Sequence, residues 1–194
     1  NKSSATTDYT LDSTSKTKAA TITAKALTAS ISDSSSTYGS SVTSGTLTLD
    51  GIIGSDSVSG SAVSIVSPSY STSNNLKAGT YKQSVTSTLS GTDAGNYSLS
   101  GGFTTGTNNY TVNAKPLSVS GLTADNKVYD GTTDATITGT ASFSGKIGAD
   151  DLSINSLTVT GTFADKNVGN SKAINLSGVT LTGTDSNNYT VSGV

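Results

Sequence analysis

The side chains best suited to chemistry in this sequence are its aspartates, because it contains no histidine and no cysteine. Asp125, Asp130 and Asp134 lie close together, and Asp150 and Asp151 form a second acidic group. Such carboxylates could bind calcium, but calcium takes about six to eight oxygens, and neither group has the spacing of the D-x-[DN]-x-[DN]-G loop. Aspartate is also a common turn residue, so turn formation is the favoured interpretation. We predict neither a metal nor a cofactor.

Enzymatic catalysis has little support in the sequence. The commonest general base and the thiolate nucleophile are both missing, since histidine and cysteine are absent. Asp150 and Asp151 remain as an acid pair, but adjacent residues of a strand point to opposite faces of a sheet. We therefore predict that the chain is not an enzyme.

Two kinds of covalent modification are also conceivable. Asn96, Asn109, Asn175 and Asn188 satisfy the Asn-x-Ser/Thr rule for glycan attachment. In a chain this rich in Asn, Ser and Thr, such matches arise from composition alone, and turn formation is favoured. Isopeptide bonds from lysines such as Lys25 and Lys115 to asparagine are a further idea, but the sequence shows no buried triad that would form them.

Bulk composition narrows the possible partners. The 194 residues carry a net charge of −2, with 11 basic and 13 acidic residues that are scattered, so no basic stripe is present and nucleic acid is not an expected partner. No apolar run approaches the roughly 20 residues that span a bilayer, so we predict no membrane insertion. The N-terminal residues show no secretion-signal pattern.

Apolar residues alternate with Ser and Thr in short runs, and this period of two predicts half-buried β-strands rather than disorder. Examples are 46–49, 135–143 and the series Leu157, Val159, Gly161 and Phe163. Glycine-rich segments such as Asp50-Gly51 mark turns between them. No long helical stripe is present, so we predict an all-β fold with at most short helices.

The chain also repeats itself at an offset of about 90 residues. The matching anchors are Ala24 with Ala114, Tyr38 with Tyr129, 53–56 with 147–150, Ala78-Gly79 with Val168-Gly169, and 90–99 with 182–191. We predict a first unit at residues 23–113 and a second unit at 114–194, joined by a short connector at Ala114-Lys115-Pro116. Residues 1–22 are predicted to hold the end of a preceding repeat and a connector, since Asp8-Tyr9-Thr10-Leu11 resembles 109–112.

A corner at 124–133 organises the second unit. Val128 and Tyr129 favour an incoming strand, and Asp130-Gly131 permits the positive φ of a two-residue hairpin turn. Tyr129 is predicted to plug the sheet, so that its replacement by alanine should lower the melting temperature. Further residues of the predicted structural motif are Tyr38 and Gly39 in the matching corner, and Tyr97 and Tyr189 after the matched asparagines.

The second unit resembles the YDG repeat of large bacterial surface adhesins at 127–133, 161–169 and 188–190. The first unit resembles the related repeat called MBG, for mostly β-grasp, at Tyr38-Gly39, 78–81 and 93–97, although it lacks the aspartate before Gly39. The resemblance implies two tandem, elongated β-sandwich or β-grasp-like domains. It also implies secreted adhesins of Gram-negative bacteria, filamentous-haemagglutinin-like or two-partner-secreted, whose repeats form a stalk at the cell surface.

The expected function is therefore structural. The units would be spacers that project an adhesive region for cell attachment or biofilm formation, with neighbouring repeats as partners, in a monomeric fragment. The alternative is that the repeats themselves bind a host glycan, a matrix polysaccharide or a partner protein. Tyr70, Tyr81 and Tyr110 could stack on sugars, although tyrosine on an alternating strand more often packs against its neighbours.

Overall fold

The computed structural model describes residues 19–155 and 158–193. These residues form β-strands and two 3-10 turns, and no α-helix occurs among them, which confirms the predicted all-β class. No helix in this part of the chain is long and apolar enough to cross a membrane. The predicted strand Asp8-Tyr9-Thr10-Leu11, and Leu157 of the alternating series, lie outside the described residues.

Twenty short strands follow one another along the described residues. Those of the first unit are β1 (Lys25–Ala26), β2 (Thr28–Ile31), β3 (Ser34–Thr37), β4 (Leu47–Asp50), β5 (Ser59–Gly60), β6 (Ser64–Ile65), β7 (Gly79–Tyr81), β8 (Gln83–Val85), β9 (Leu89–Ser90), β10 (Tyr97–Ser98), β11 (Phe103–Thr104) and β12 (Tyr110–Asn113). Those of the second unit are β13 (Lys115–Ala124), β14 (Asp134–Ala135), β15 (Ile137–Ser144), β16 (Ser153–Ile154), β17 (Thr160–Phe163), β18 (Ile174–Ser177), β19 (Leu181–Thr182) and β20 (Tyr189–Gly193). The 3-10 turns, Ala94–Asn96 and Ser186–Asn188, precede β10 and β20.

Strand pairing follows the sequence repeat. β1 runs parallel to β10 and places Lys25 beside Tyr97, while β13 runs parallel to β20 and places Lys115 beside Tyr189. β2 pairs antiparallel with β4, as β13 does with β15. β5 pairs with β9, as β16 does with β19. These matched strands therefore occupy matching places in the sheets.

The last strand of the first unit lies between two others. β12 runs parallel to β3, with Tyr110 beside Ser34, and antiparallel to β7, with Tyr110 beside Tyr81. Tyr110 is fully buried and donates its hydroxyl to Ser36 Oγ at 2.7 Å. β12 therefore closes this end of the first unit.

The predicted connector between the units is shorter than expected. Only Ala114 separates β12 from β13, and Lys115 and Pro116 are the first residues of β13. Proline fits there because β15 pairs with β13 only from Ser118 onward, so the missing amide hydrogen falls where β13 has one partner strand. The prediction that Lys115-Pro116 forms a connector was wrong; the chain passes between the units as nearly continuous strand.

Two apolar clusters fill the interior. The smaller is built on Ile31, Val85 and Leu99 of the first unit. The larger spans the boundary and combines Tyr38, Leu76, Tyr110 and Val112 with Leu117, Leu152 and Tyr189. Burying a large apolar side chain stabilises a fold by roughly 1.5–3 kcal/mol. Since residues from both sides share this cluster, the two units stabilise each other.

The exposed faces carry rungs of hydroxyl groups across paired strands. Thr160 and Ser177 are in hydrogen-bond contact at 2.7 Å, and so are Ser153 and Thr182 at 2.7 Å. In β13, Leu117 and Val119 are buried while the serines that follow them are exposed. The Ser/Thr-rich composition therefore supplies the wetted face of half-buried strands, as the alternating pattern predicts.

Candidate functional site

The most elaborate polar site lies at the boundary of the units, around Asp150. The segment 147–150 turns back on itself, with the Asp150 amide donating to the Ile147 carbonyl at 3.1 Å. Tyr189, the first residue of β20 after the 3-10 turn, donates its hydroxyl to Asp150 Oδ2 at 2.5 Å. The same hydroxyl oxygen accepts the Ile147 amide at 2.9 Å. These hydrogen bonds hold the turn 147–150 against the start of β20.

Asp185, which precedes the 3-10 turn, is a second buried carboxylate. It accepts the Asp151 amide at 3.0 Å and the Thr72 amide at 3.3 Å. Asp151 itself points elsewhere and accepts the Thr184 amide and hydroxyl at 2.9 and 3.1 Å. Asp150 and Asp151 thus have separate partners. They were expected to be adjacent residues of a strand, but neither lies in a strand.

The first unit covers this site. Tyr38 donates its hydroxyl to Asp150 Oδ2 at 2.6 Å, and its oxygen lies 2.6 Å from Ser71 Oγ. The Ser73 amide donates to Asp150 Oδ1 at 3.2 Å. The Tyr38 and Tyr189 rings meet edge to face, with centroids 5.3 Å apart. We call this arrangement of Tyr38, the turn 71–75, Asp150, Asp185 and Tyr189 the joint.

Electrostatically, the joint holds two buried carboxylates on uncharged donors. Asp150 and Asp185 are each 1% exposed. Burial alone would raise the pKa of Asp150, but the hydrogen bonds from Tyr189, Tyr38 and Ser73 outweigh burial and leave that pKa below its usual value. The pKa of Asp185 is lowered in the same way, with burial opposed by the Asp151 amide and the Thr72 bonds. Both groups are therefore charged at neutral pH, as strong acceptors.

The two tyrosines respond in the opposite sense. Burial, and then the hydrogen bond to Asp150, raise the pKa of Tyr38 to about 12. The same two causes raise the pKa of Tyr189. Their hydroxyls therefore stay protonated and remain donors far above neutral pH.

The chemistry of this site is suited to holding the two units together. Its carboxylates are already saturated by hydroxyl and amide donors, and in the described part of the chain no group of three or more acidic side chains could hold a metal ion. A hydrogen bond to a buried charge is worth about 1.5–3 kcal/mol. The geometry consequently favours fixing two units against each other.

The first unit carries a counterpart of the joint that is more exposed among the described residues. Tyr97 donates to Asp56 Oδ2 at 2.5 Å and accepts the Ile53 amide at 3.0 Å, and Asp93 accepts the Ser57 amide at 2.8 Å. The bond to Asp56, and then burial, raise the pKa of Tyr97. Yet Ile53 is 56% exposed and Asn96 is exposed, whereas Asn188 at the joint is buried. We call Ile53, Asp56, Asp93, Asn96 and Tyr97 the open face.

The Tyr129 corner differs from its prediction. Tyr129 is 59% exposed and Val128 is 88% exposed, and neither lies in a strand. β13 pairs with β15 from Ala124 opposite Ile137, so the corner belongs to a long loop and not to a two-residue hairpin. The prediction that Tyr129 is a plug that closes the sheet was wrong, because more than half of its surface is exposed among the described residues. Tyr38, its counterpart, is 1% exposed because the joint buries it.

Asp130 and Gly131 form a turn of another kind. Gly131 has a φ of +81°, as does Gly39, so the expected positive φ is present. Asp130 accepts the Thr132 amide at 2.9 Å and the Lys127 ammonium at 2.9 Å. These bonds, the amide first, lower the pKa of Asp130 to about 2. The aspartate therefore shapes the loop, in line with the turn interpretation.

Comparison with known proteins assigns the second half of the chain. Residues 113–194 match the model of the YDG domain. The second unit is a YDG-type domain. The YDG match begins one residue before the boundary predicted at 114, and it contains Tyr129, Asp130 and Gly131. No curated protein and no solved structure matches the chain.

Inside and beside the YDG-type domain, the remaining candidates serve the fold. Asn188 is 2% exposed and accepts the Ala78 amide at 2.8 Å, and Asn109 donates to the Ile31 carbonyl at 3.0 Å. Asn96 and Asn175 are exposed. Of the tyrosines considered for sugar stacking, Tyr110 is buried, Tyr81 is bonded to the Lys77 carbonyl and Tyr70 is 54% exposed. These three do not form one aromatic face.

Sequence reasoning singled out Tyr189 and Tyr38 but missed their acceptor, Asp150. It also missed Gln83, which is fully buried and accepts the Gly45 amide at 2.7 Å. A signal was present for the first: the repeated 53–56 and 147–150 segments each end in aspartate. An aspartate that recurs with the same tyrosine is a candidate partner for it.

Proposed function

We propose that the chain is a stiff spacer segment of a bacterial surface adhesin, which projects an adhesive region for cell attachment or biofilm formation. The observation that carries this proposal is the joint. Tyr38 of the first unit is hydrogen-bonded to Asp150 of the second, beside an apolar cluster that both units share. A spacer needs such a contact, since a flexible linker would lose reach.

The connection at Ala114 supports the same function. One residue between β12 and β13 gives the chain very little freedom to bend there. The hydrogen bonds from the turn 71–75 to Asp150 and Asp185 attach the units a second time, through residues distant in sequence from Ala114. Two attachments restrict the motion of one unit against the other more than one would.

The YDG-type domain supports the biological setting. The YDG and MBG resemblances imply secreted, filamentous-haemagglutinin-like or two-partner-secreted proteins, so we propose an extracellular location at the bacterial surface. The partners would be neighbouring repeats of the same polypeptide. The exposed Ser and Thr hydroxyls would keep such a stalk hydrated without a high charge.

The stiffness can be tested by distance measurement, because the chain contains no cysteine. Spin labels at Ser87→Cys and Asn170→Cys, both exposed positions on different units, should give one narrow distance distribution. Adding Tyr38→Ala should broaden it, while adding Tyr129→Ala should not. A broad distribution in the otherwise unchanged chain would contradict the spacer proposal.

A second candidate function is glycan binding, and one feature favours it. A groove of about 720 Å³ in the second unit is lined by Tyr129 and Phe163 together with Asn126, Asn167 and Lys166. Its size lies within the usual range for ligand sites. Binding of the chain to a polysaccharide array, lost on Tyr129→Ala, would support this use; equal binding by the variant would dismiss it.

A further inference from the structure

The groove beside Tyr129 lies between two segments of the second unit, 122–132 and 163–174, which are mostly loop. Its rim carries strongly exposed apolar side chains: Val128 and Val168 are each 88% exposed and Tyr129 is 59% exposed. Isolated apolar residues on a surface are ordinary, but three around one groove indicate a contact surface. We call it the distal groove.

The first unit shows what fills the corresponding place. By the repeat, residues 125–128 correspond to β3 and residues 169–171 correspond to β7. In the first unit β12 lies between those two strands, parallel to β3 and antiparallel to β7. The matching space in the second unit is the distal groove. It therefore has the position of a site for one extended strand.

A segment whose sequence matches β12 lies just before β1. Residues 20–23 correspond to Tyr110–Asn113 and run into β1 as β12 runs into β13. Residues 21–24 lie outside any strand, and Ile22 is 100% exposed. Its counterpart Val112 is 3% exposed between β3 and β7. Ile22 thus has the apolar character of its counterpart without the burial of that counterpart.

The polar groups at the two ends are complementary as well. At the joint, Tyr38 covers Asp150 and Tyr189, and the Ala78 amide donates to Asn188. On the open face, Asp56, Tyr97 and Asn96 correspond to Asp150, Tyr189 and Asn188 of the joint. The distal groove has the counterparts of the covering residues, Tyr129 and Val168. The open face therefore carries the groups that are covered at the joint, and the distal groove carries the counterparts of the residues that cover them.

We propose that the two ends bind each other, so that a second copy of this chain docks head to tail. Residues 20–23 of one copy add a strand to the distal groove of the next, with Ile22 in the position that Val112 has at the joint. Tyr129 then covers the Asp56–Tyr97 pair. Strand addition uses main-chain hydrogen bonds for affinity and side-chain pockets for specificity. This holds whether or not the units act as spacers.

Such a contact joins two different surfaces, and it can continue from copy to copy. Head-to-tail contacts give rings or open chains, whereas a two-fold dimer uses the same surface twice. Sedimentation velocity of the intact chain at up to about 1 mM, a concentration at which even weak complexes form, should show dimers, trimers and longer species. A chain that stays monomeric there would overturn the proposal and leave the groove to a neighbouring repeat or a glycan.

Two surface variants sharpen the test. Ile22→Asp removes the strand end, and Val168→Asp blocks the groove; both positions are highly exposed, so neither change should alter the fold. Each variant alone is expected to be monomeric, while an equal mixture should give one-to-one dimers and nothing larger. Val42→Asp, at a 45% exposed position that belongs to neither the distal groove nor the open face, should associate like the unchanged chain. Association that survives Ile22→Asp and Val168→Asp together, or that stops at dimers in the unchanged chain, would refute this arrangement.

Discussion

The hydroxyl of Tyr38 offers the sharpest test of the joint. Tyr38→Phe removes the donor 2.6 Å from Asp150 and keeps the ring that meets Tyr189 edge to face. Asp150 retains Tyr189 and Ser73 as donors, so the loss is that of one hydrogen bond to a buried charge. We expect the free energy of unfolding to fall by about 2 kcal/mol, within the usual range of about 1.5–3.

The assay is urea unfolding followed by circular dichroism, with thermal melting as a second measure. For a chain of this length about 2 kcal/mol corresponds to roughly 4–8 °C in melting temperature. Tyr129→Phe is the matched control, because it removes the same atom from the corresponding tyrosine, which is 59% exposed. The control should change stability by less than about 0.5 kcal/mol.

A double-mutant cycle with Asp150→Asn separates the bond from other effects. If the hydroxyl acts through the carboxylate, the two substitutions together should cost clearly less than the sum of their separate costs. Additive effects, or equal losses for Tyr38→Phe and Tyr129→Phe, would refute the reasoning.

Four other outcomes follow from the same contacts. Stability should fall as pH rises from 10.0, the ordinary pKa of tyrosine, through the raised pKa of Tyr38 near 12. Urea unfolding midpoints measured against pH should show this decline, and Tyr38→Phe should make it less steep. At low pH the direction reverses. Because the pKa of Asp150 is lowered in the folded chain, this group stabilises the fold above the ordinary pKa of aspartate, and that stabilisation is lost as pH falls through the folded pKa. Urea midpoints that stay constant in acid would contradict the role of Asp150 in the joint. Gln83→Ala should cost about 1–3 kcal/mol in thermal unfolding, because it leaves the Gly45 amide without its acceptor. Gly183→Ala should cost more than Gly131→Ala in the same measurement: both have positive φ, but only at Gly183 would the new methyl lie 2.3 Å from the Asp151 carbonyl oxygen.

The sequence predicted the strands well because their signal is local. Alternation over a few residues decides which face is buried, and it did so for β13 and β17. The positive φ of Gly131 was also predictable, since glycine tolerates it at little cost. Both inferences depend on neighbours along the chain.

The burial of Tyr38 and the exposure of Tyr129 were not predictable in this way. Tyr38 contacts Asp150, 112 residues away, and that contact exists only because a second unit follows the first. Tyr129 has the same local sequence signal but no following unit among the described residues. The two tyrosines share a local sequence pattern and therefore received the same prediction. Their different surroundings in the fold give them different roles. Replacing Tyr129 by alanine should therefore leave the melting temperature within about 2 °C.

The parallel pairing of β13 with β20 has a mechanical consequence. These are the first and last strands of the second unit that the structure describes, and Lys115 lies beside Tyr189. Tension applied to the two ends of the unit pulls β13 and β20 in opposite directions along their length. Their hydrogen bonds are then loaded together in shear and cannot open one after another like a zipper. Force on the second unit would therefore be borne by a strand pair whose hydrogen bonds resist it collectively.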